Sequence, residues 1–318
     1  MNRRMLVYVA KRLGVGVLTV YFIATATFAA MHLVPGDPIT SGKAMTPEIR
    51  ANLERKYGLD RPVLEQYGVY LANMLRGDFG ISFTQQNRTV NDIIREHFPV
   101  SAKLGILSLL FATLGGILFG SLTALARGKL ADRTVMFLVI LGISVPSFVF
   151  AALGQYLVTE ANQALRVSLL PVAGWGTFRH MLLPALSLGL GTMAFLTRLM
   201  RSSLLEIVHQ DYIRTARAKG LPVGRVFLSH QLRNAILPVV TFLGPAVATI
   251  TTGGFVVESV FAIPGLGRYF VQAVQQLDYT VIVGLTVFYG AFLVFMVIVV
   301  DIVYGLVDPR ISVAAERA

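Results

Sequence analysis

The side chains of this chain that could carry chemistry are few, and their spacing argues against bond-making. Five histidines, His32, His97, His180, His209 and His230, are scattered along the sequence with no HExxH pair and no close cluster. The one-turn spacing that sets two imidazoles on one metal is therefore absent. With 0 cysteines the chain has no thiolate ligand, no thiol nucleophile and no disulfide. No GxxxxGKS or GxxxxGKT phosphate loop and no GxSxG elbow occurs, which removes the usual ATP cradle and the usual serine nucleophile. Nor do the apolar stretches hold a central series of carboxylates or histidines of the kind that relays protons across a bilayer. Asp301 falls near the end of the last apolar run, where it snorkels or pairs with an arginine, or else marks function. What remains is a binding surface. Residues 211–238, DYIRTARAKGLPVGRVFLSHQLRNAILP, form a basic polar stretch between two strongly apolar runs.

The elements that position those charges can be read locally. Leu205, Val208, Tyr212 and Ala216 recur at three to four residues, which predicts one face of a helix over 202–219. Arg214, Arg217 and Lys219 then project from other faces near the C-terminal end, where cations suit the helix dipole. Gly220 stands where a left-handed C-cap is wanted, and Leu221 and Pro222 prevent the helix from continuing. A second short helical stretch over 223–232 has Val226 and Phe227 as its apolar contacts. The expected product is a helix, tight turn, helix knob standing out of a membrane.

A membrane is required by composition. The 318 residues are 55% hydrophobic and 14% charged, too apolar for a soluble domain. The net charge of +11 does not point to nucleic acid, because its lysines and arginines lie in short loops between uncharged runs and not on one solvated face. Six runs approach the length that crosses a hydrocarbon core of about 30 Å, at about 1.5 Å per residue. They are 13–34, 104–126, 135–158, 181–200, 236–257 and 279–300. The first follows a basic start but is longer than a leader-peptide core, and reads as a retained helix. The fourth is completed by snorkelling of Arg198 and Arg201. Orientation follows from Arg3, Arg4, Lys11, Arg12, Arg127, Lys129, Arg133, the cations of the knob, Arg310 and Arg317 on one side. Only Arg166, Arg179 and Arg268 fall in short loops on the other. The positive-inside rule then puts both termini and the knob in the cytoplasm.

The chain divides into 1–34 with the first span, an outer loop domain over 35–103, a five-helix core over 104–308 that includes the knob loop 201–235, and a tail over 309–318. In the outer loop Thr46, Pro47 and Glu48 open a helix that Gly58 closes, and a second helix over 62–75 lines up Val63, Tyr67, Tyr70 and Met74. This domain is either a cap packed on the membrane helices or a docking surface for an external partner, and the two are compatible. Gly116 and Gly120, with Gly115 and Ser121 beside them, permit close helix approach, within the subunit or at a dimer seam. Pro146 between Ser144 and Ser147 predicts a kink, architectural or hinge-like. The fifth run is the most irregular, with Pro238, Gly244, Pro245, Gly253, Gly254 and several threonines. It either lines a wet pathway or only permits close packing. Pro245, Thr249, Gly253, Gly254 and Glu258 are the pathway or gate candidates. Pro264, Gly265, Leu266 and Gly267 follow in an outer segment able to fold back as a gate.

Six motifs together carry a resemblance: RTARAKGL with LRNAILPV in the knob, VPGDPI at 34–39, YGLDRPVLEQY at 57–67, RGDFGIS at 76–82, PGLGR at 264–268 and DPRI at 308–311. The knob resembles the "EAA" coupling loop of ABC importer permeases, in the form found in the dipeptide, oligopeptide and nickel permease family. Aligned on Gly220, its starting positions are Arg214, Thr215 and Ala216, so arginine stands where the general motif has an acid. The resemblance implies an all-α, six-helix type I importer permease fold in a prokaryotic inner membrane. It implies a non-catalytic subunit that pairs with a homologous second permease, two cytoplasmic ATPases holding ATP and Mg, and an external solute-binding protein. It further implies that Arg214, Thr215, Ala216, Lys219, Gly220 and Leu221 contact an ATPase. The cargo implied is dipeptide or oligopeptide, with nickel or another metal chelate as the alternative within the family. An ATP-independent secondary transporter or channel is the alternative of another class.

Overall fold

Helices form on all six apolar runs, and among the described residues the only extended pairing is an isolated antiparallel bridge between Ile81 and Thr89. The structure is a computed structural model that describes residues 3–33, 54–55, 58, 60–85, 88–252 and 254–307. The motifs at 34–39 and 308–311, the helix start at Thr46, Pro47 and Glu48, Gly253, the side chain of Asp301 and the tail 309–318 lie outside the described residues. In chain order the helices are α1 (Arg3–Leu33), α2 (Val63–Leu75), α3 (Val90–Leu125), α4 (Leu130–Ser144), α5 (Ser147–Leu165) and α6 (Phe178–Ile207). There follow α7 (Asp211–Ala218), α8 (Val223–Ala235, wound as a π-helix over Val226–Leu232), α9 (Leu237–Thr252), α10 (Phe255–Val260), α11 (Leu266–Gln275) and α12 (Tyr279–Val307).

Four stretches, Val9–Leu33, Val90–Leu125, Phe178–Ile207 and Tyr279–Val300, are long and apolar enough to cross a membrane singly, and two bent pairs raise the number to 6. The first pair, α4 with α5, turns through 111°. The expected kink at Pro146 is thus a full corner. Pro146 has no N–H to give and forces the residue before it out of the helical region, so Val145 sits at φ −94° and ψ 128°. The second pair, α8 with the first part of α9, bends by 43°. The fifth run is not one helix: α9 ends at Thr252, and α10 begins afresh after Gly254.

The chain folds as two compact units, Met1–Ser101 with Pro264–Ala318, and Ala102–Ile263. In the first, α1 lies against α12 through small residues: a Cβ on Gly16 would stand 2.8 Å from Val294, and one on Gly290 2.8 Å from Ile23. Helix α2 starts just after Pro62, as expected, and packs on α1. Tyr67 OH lies 2.6 Å from Thr25 Oγ1, and the Tyr70 ring stacks on Phe28 at 5.4 Å. The Tyr70 hydroxyl is buried with no hydrogen-bond partner, and that burial, with Tyr67 beside it, pushes the phenol pKa up. Gly58 adopts φ +67°, the left-handed turn expected at the end of the preceding helix.

The second unit is built on α6. A Cβ on Gly116 would fall 2.5 Å from Leu196 Cβ, one on Gly120 2.6 Å from Met200 Cβ, and one on Gly189 2.6 Å from the Ser108 carbonyl oxygen. The GxxxG pair therefore serves packing inside the subunit, where dispersion contacts substitute for a hydrophobic drive. Arg198 is exposed over the Phe195 ring, at 5.9 Å, as a snorkelling residue would be. Arg201 departs from expectation: it does not snorkel but forms a two-toothed ion pair with buried Asp132. A carboxylate inside the packed helices satisfies the guanidinium better than a stretch toward water.

Candidate functional site

The knob is set by a short apolar cluster under a charged surface. Ile213, Ala216 and Val226 are buried together, with Ile207 and Leu221 packed at the edge. Helix α6 stops at Ile207, and α7 begins again at Asp211, so of the stripe predicted through Leu205, Val208, Tyr212 and Ala216 only Ala216 is buried. The break resets the helical register and turns Ile213 inward, and Tyr212 is exposed. Tyr212 OH instead accepts a hydrogen bond from Asn234 Nδ2 at 3.2 Å, tying α7 to the end of α8.

The turn between α7 and α8 has the geometry that the sequence predicts. Gly220 takes φ +75°, its N–H donates to the Arg217 carbonyl at 2.9 Å, and Leu221 N–H donates to the Ala216 carbonyl at 3.4 Å. This pair of bonds is the Schellman arrangement, which satisfies the last carbonyls of α7 and reverses the chain. Pro222 then caps α8. Of the residues named from sequence, Arg214, Thr215, Lys219 and Gly220 are exposed, Ala216 is buried and Leu221 half-buried. Arg217, Arg225 and Arg233 add exposed cations, and Asp211 lies 3.7 Å from Arg214. The arrangement presents exposed cations around a hydrogen-bonded turn, a surface complementary to an acidic groove.

The pathway candidates separate. Pro245 and Thr249 are exposed one helical turn apart on α9, and Thr249 Oγ1 donates to the Pro245 carbonyl at 2.6 Å. Gly254 and Glu258 are buried together, with the Glu258 carboxylate 3.4 Å from where a Gly254 Cβ would lie. Gly253 lies outside the described residues.

Two groups of residues escaped sequence reading. Asp278, 1% exposed, accepts from Ser82 Oγ at 2.5 Å, from Thr84 Oγ1 at 2.8 Å and from the Phe83 and Thr84 N–H groups at 3.2 Å. It also accepts from Val281 N–H at 3.3 Å at the head of α12. Its place immediately before a long apolar run is an N-cap signal that could have found it. The same loop gives RGDFGIS its physical meaning. Asn91 accepts from Phe79 N–H and donates to the Gly77 carbonyl, and a Cβ on Gly80 would meet Thr280 at 2.6 Å. Nearby, His97 stacks on Tyr269 at 4.0 Å, its Nδ1 is 2.9 Å from the Pro264 carbonyl, and Arg88 pairs with Glu96. No local signal marks that cluster.

Membrane-length helices joined by a knob of exposed cations define a multi-pass membrane protein. Residues 116–313 match the family of binding-protein-dependent transport system inner membrane components, and residues 5–105 match the N-terminal family of the same membrane components. The chain belongs to this family of inner-membrane permease subunits, and is a multi-pass inner-membrane protein. It is 43% identical over 96% of its length to the dipeptide transport system permease protein DppB of Bacillus subtilis, covering 97% of that relative. It is 42% identical over 96% of its length to the oligopeptide transport system permease protein OppB of Haemophilus influenzae, covering 99% of it. Among solved structures, a chain of the MetNI methionine ABC transporter, in inward-facing form, matches with a TM-score of 0.51 at 20% identity, over 70% of this chain and 95% of that one. The fold is the all-α fold of type I ABC importer permeases.

Proposed function

We propose that this chain is the membrane permease subunit of an ATP-driven, binding-protein-dependent importer of dipeptides or oligopeptides, forming half of the translocation pathway. The observation that carries the reading is the likeness to a dipeptide permease, 43% identical over 96% of the chain. In this reading the termini and the knob are cytoplasmic, and a homologous permease supplies the other half of the pathway. Two ATPases bind Mg-ATP and hydrolyse it, and an external binding protein delivers the peptide.

Within the knob the roles divide by burial. Arg214, Thr215 and Lys219, joined by Arg217, face the ATPase groove, whereas Ala216 and Leu221 hold α7 on its own cluster. Gly220 sets the turn. Closure of the ATPases moves the knob, and the permease halves exchange inward for outward access. Exposed Pro245 and Thr249 of α9 are assigned to the pathway wall, and buried Gly254 and Glu258 to its gate.

The test is uptake by proteoliposomes that contain this chain with its co-purifying permease and ATPases, with the binding protein outside. ATP-dependent accumulation of radiolabelled trialanine that requires the binding protein is expected. Accumulation of nickel in place of peptide overturns the peptide assignment, and uptake by this chain alone without ATP overturns the ABC reading.

A further inference from the structure

One charged pair in the second unit is far better made than a membrane helix needs for packing alone. Arg201 Nε donates to Asp132 Oδ1 at 2.8 Å, and a second guanidinium nitrogen donates to Oδ2 at 2.9 Å. The Gly128 N–H donates to the same Oδ2 at 2.9 Å, so the loop before α4 is gathered into the pair. Asp132 is 4% exposed, while Arg127, Lys129 and Arg133, its neighbours in sequence, are all exposed. The carboxylate therefore takes a partner 69 residues away and not a local one.

The position of the pair matters more than its strength. Arg201 lies six residues, or about 9 Å at the usual helical rise, before Ile207, the end of α6 that packs on the cluster under the knob. Further along the same α4 and α6 seam the contact is between small groups, a Cβ on Gly142 falling 2.9 Å from Ala194 Cβ. Small-residue contacts let helices slide, whereas a two-toothed arginine and carboxylate pair fixes distance and orientation together. Beyond the corner at Pro146, Gln155 of α5 donates to the Val172 carbonyl at 2.6 Å and to the Val260 carbonyl, at the end of α10, at 3.0 Å. A displacement of the α6 stem that is passed to α4 thus has a continuous bonded route to α10, the helix of Glu258.

We propose that Asp132 and Arg201 are positioning residues for transport: their pair obliges α4 to move with the stem of the coupling knob. The inference rests on the coupling reading given above. A parental complex that shows no ATP-dependent uptake defeats that reading, whereas the comparison of variants below tests the pair alone.

The experiment measures trialanine taken up per ATP hydrolysed by the reconstituted complex, together with the thermal stability of the purified complex. Asp132→Asn and Arg201→Gln are expected to lower the ratio about tenfold while ATP hydrolysis continues. The exchange Asp132→Arg with Arg201→Asp is expected to recover part of it. Because a lone buried charge also harms folding, the double variant Asp132→Leu with Arg201→Met decides the matter, since well-packed apolar replacements of a buried pair preserve stability. A stable double variant with a lowered ratio supports the proposal. A parental ratio in that variant, or uptake and hydrolysis falling together in all variants, overturns it and leaves the pair a purely structural contact.

Discussion

Two glycines are required in this chain for opposite reasons. Gly116 has no room: any side chain would meet Leu196 at 2.5 Å, closer than carbon atoms approach. Gly220 has nothing within 4 Å of its missing side chain, yet its φ of +75° is one that L-residues adopt at a cost. That cost is about 1–2 kcal/mol for an ordinary residue and more for a β-branched one. Asparagine tolerates the left-handed region better, through its short polar side chain. Replacing Gly220 by valine is therefore expected to deform the Schellman turn while leaving the subunit inserted, and to lower peptide uptake per ATP about tenfold. Gly220→Asn should retain most of the parental ratio. The measurement is uptake against hydrolysis in proteoliposomes matched for subunit amount, and a parental ratio for Gly220→Val would remove the turn from the coupling mechanism.

At the scale of elements, what holds α7 in place is a small buried patch, Ile213 and Ala216 of α7 against Val226 of α8. A carboxylate placed there finds no cation inside the cluster, and an uncompensated buried charge costs about 3–5 kcal/mol. Val226→Asp is thus expected to release α7 from its seat without unfolding the membrane helices, and trypsin should cut after Arg217 and Lys219 about tenfold faster or more. A digestion time course on the purified complex reads this directly; an unchanged rate would mean that α7 is held by something other than the cluster. Sequence made much of this element legible. The cap at Gly220, the apolar Val226 and the start of α2 after Pro62 are local signals, and each is realised. The break between Ile207 and Asp211 is not local: Val208, His209 and Gln210 include neither glycine nor proline, and the helix stops because the knob docks across its end. For the same reason the inward turn of Ile213, and the pairing of Asp132 with a residue 69 positions away, had no counterpart in spacing or composition.

For the molecule as a whole, the strongest sequence signal was the distribution of charge, which speaks to sidedness and not to packing. We propose from the positive-inside rule that the knob, with its exposed cations Arg214, Arg217, Lys219, Arg225 and Arg233, faces the cytoplasm. Helix α2, in the long loop between the first two spans, then faces the other compartment. The chain has 0 cysteines, so single thiols can be introduced on its natural background without removing any. Glu65 on α2 and Arg225 on α8 are both exposed, so a thiol at either is open to reagent and disturbs no buried contact. A membrane-impermeant maleimide applied to intact spheroplasts should label Glu65→Cys and spare Arg225→Cys. Inside-out vesicles should give the reverse. Labelling of Arg225→Cys from outside intact cells would place the knob where no ATPase can reach it, and the coupling mechanism would have to be abandoned along with the orientation.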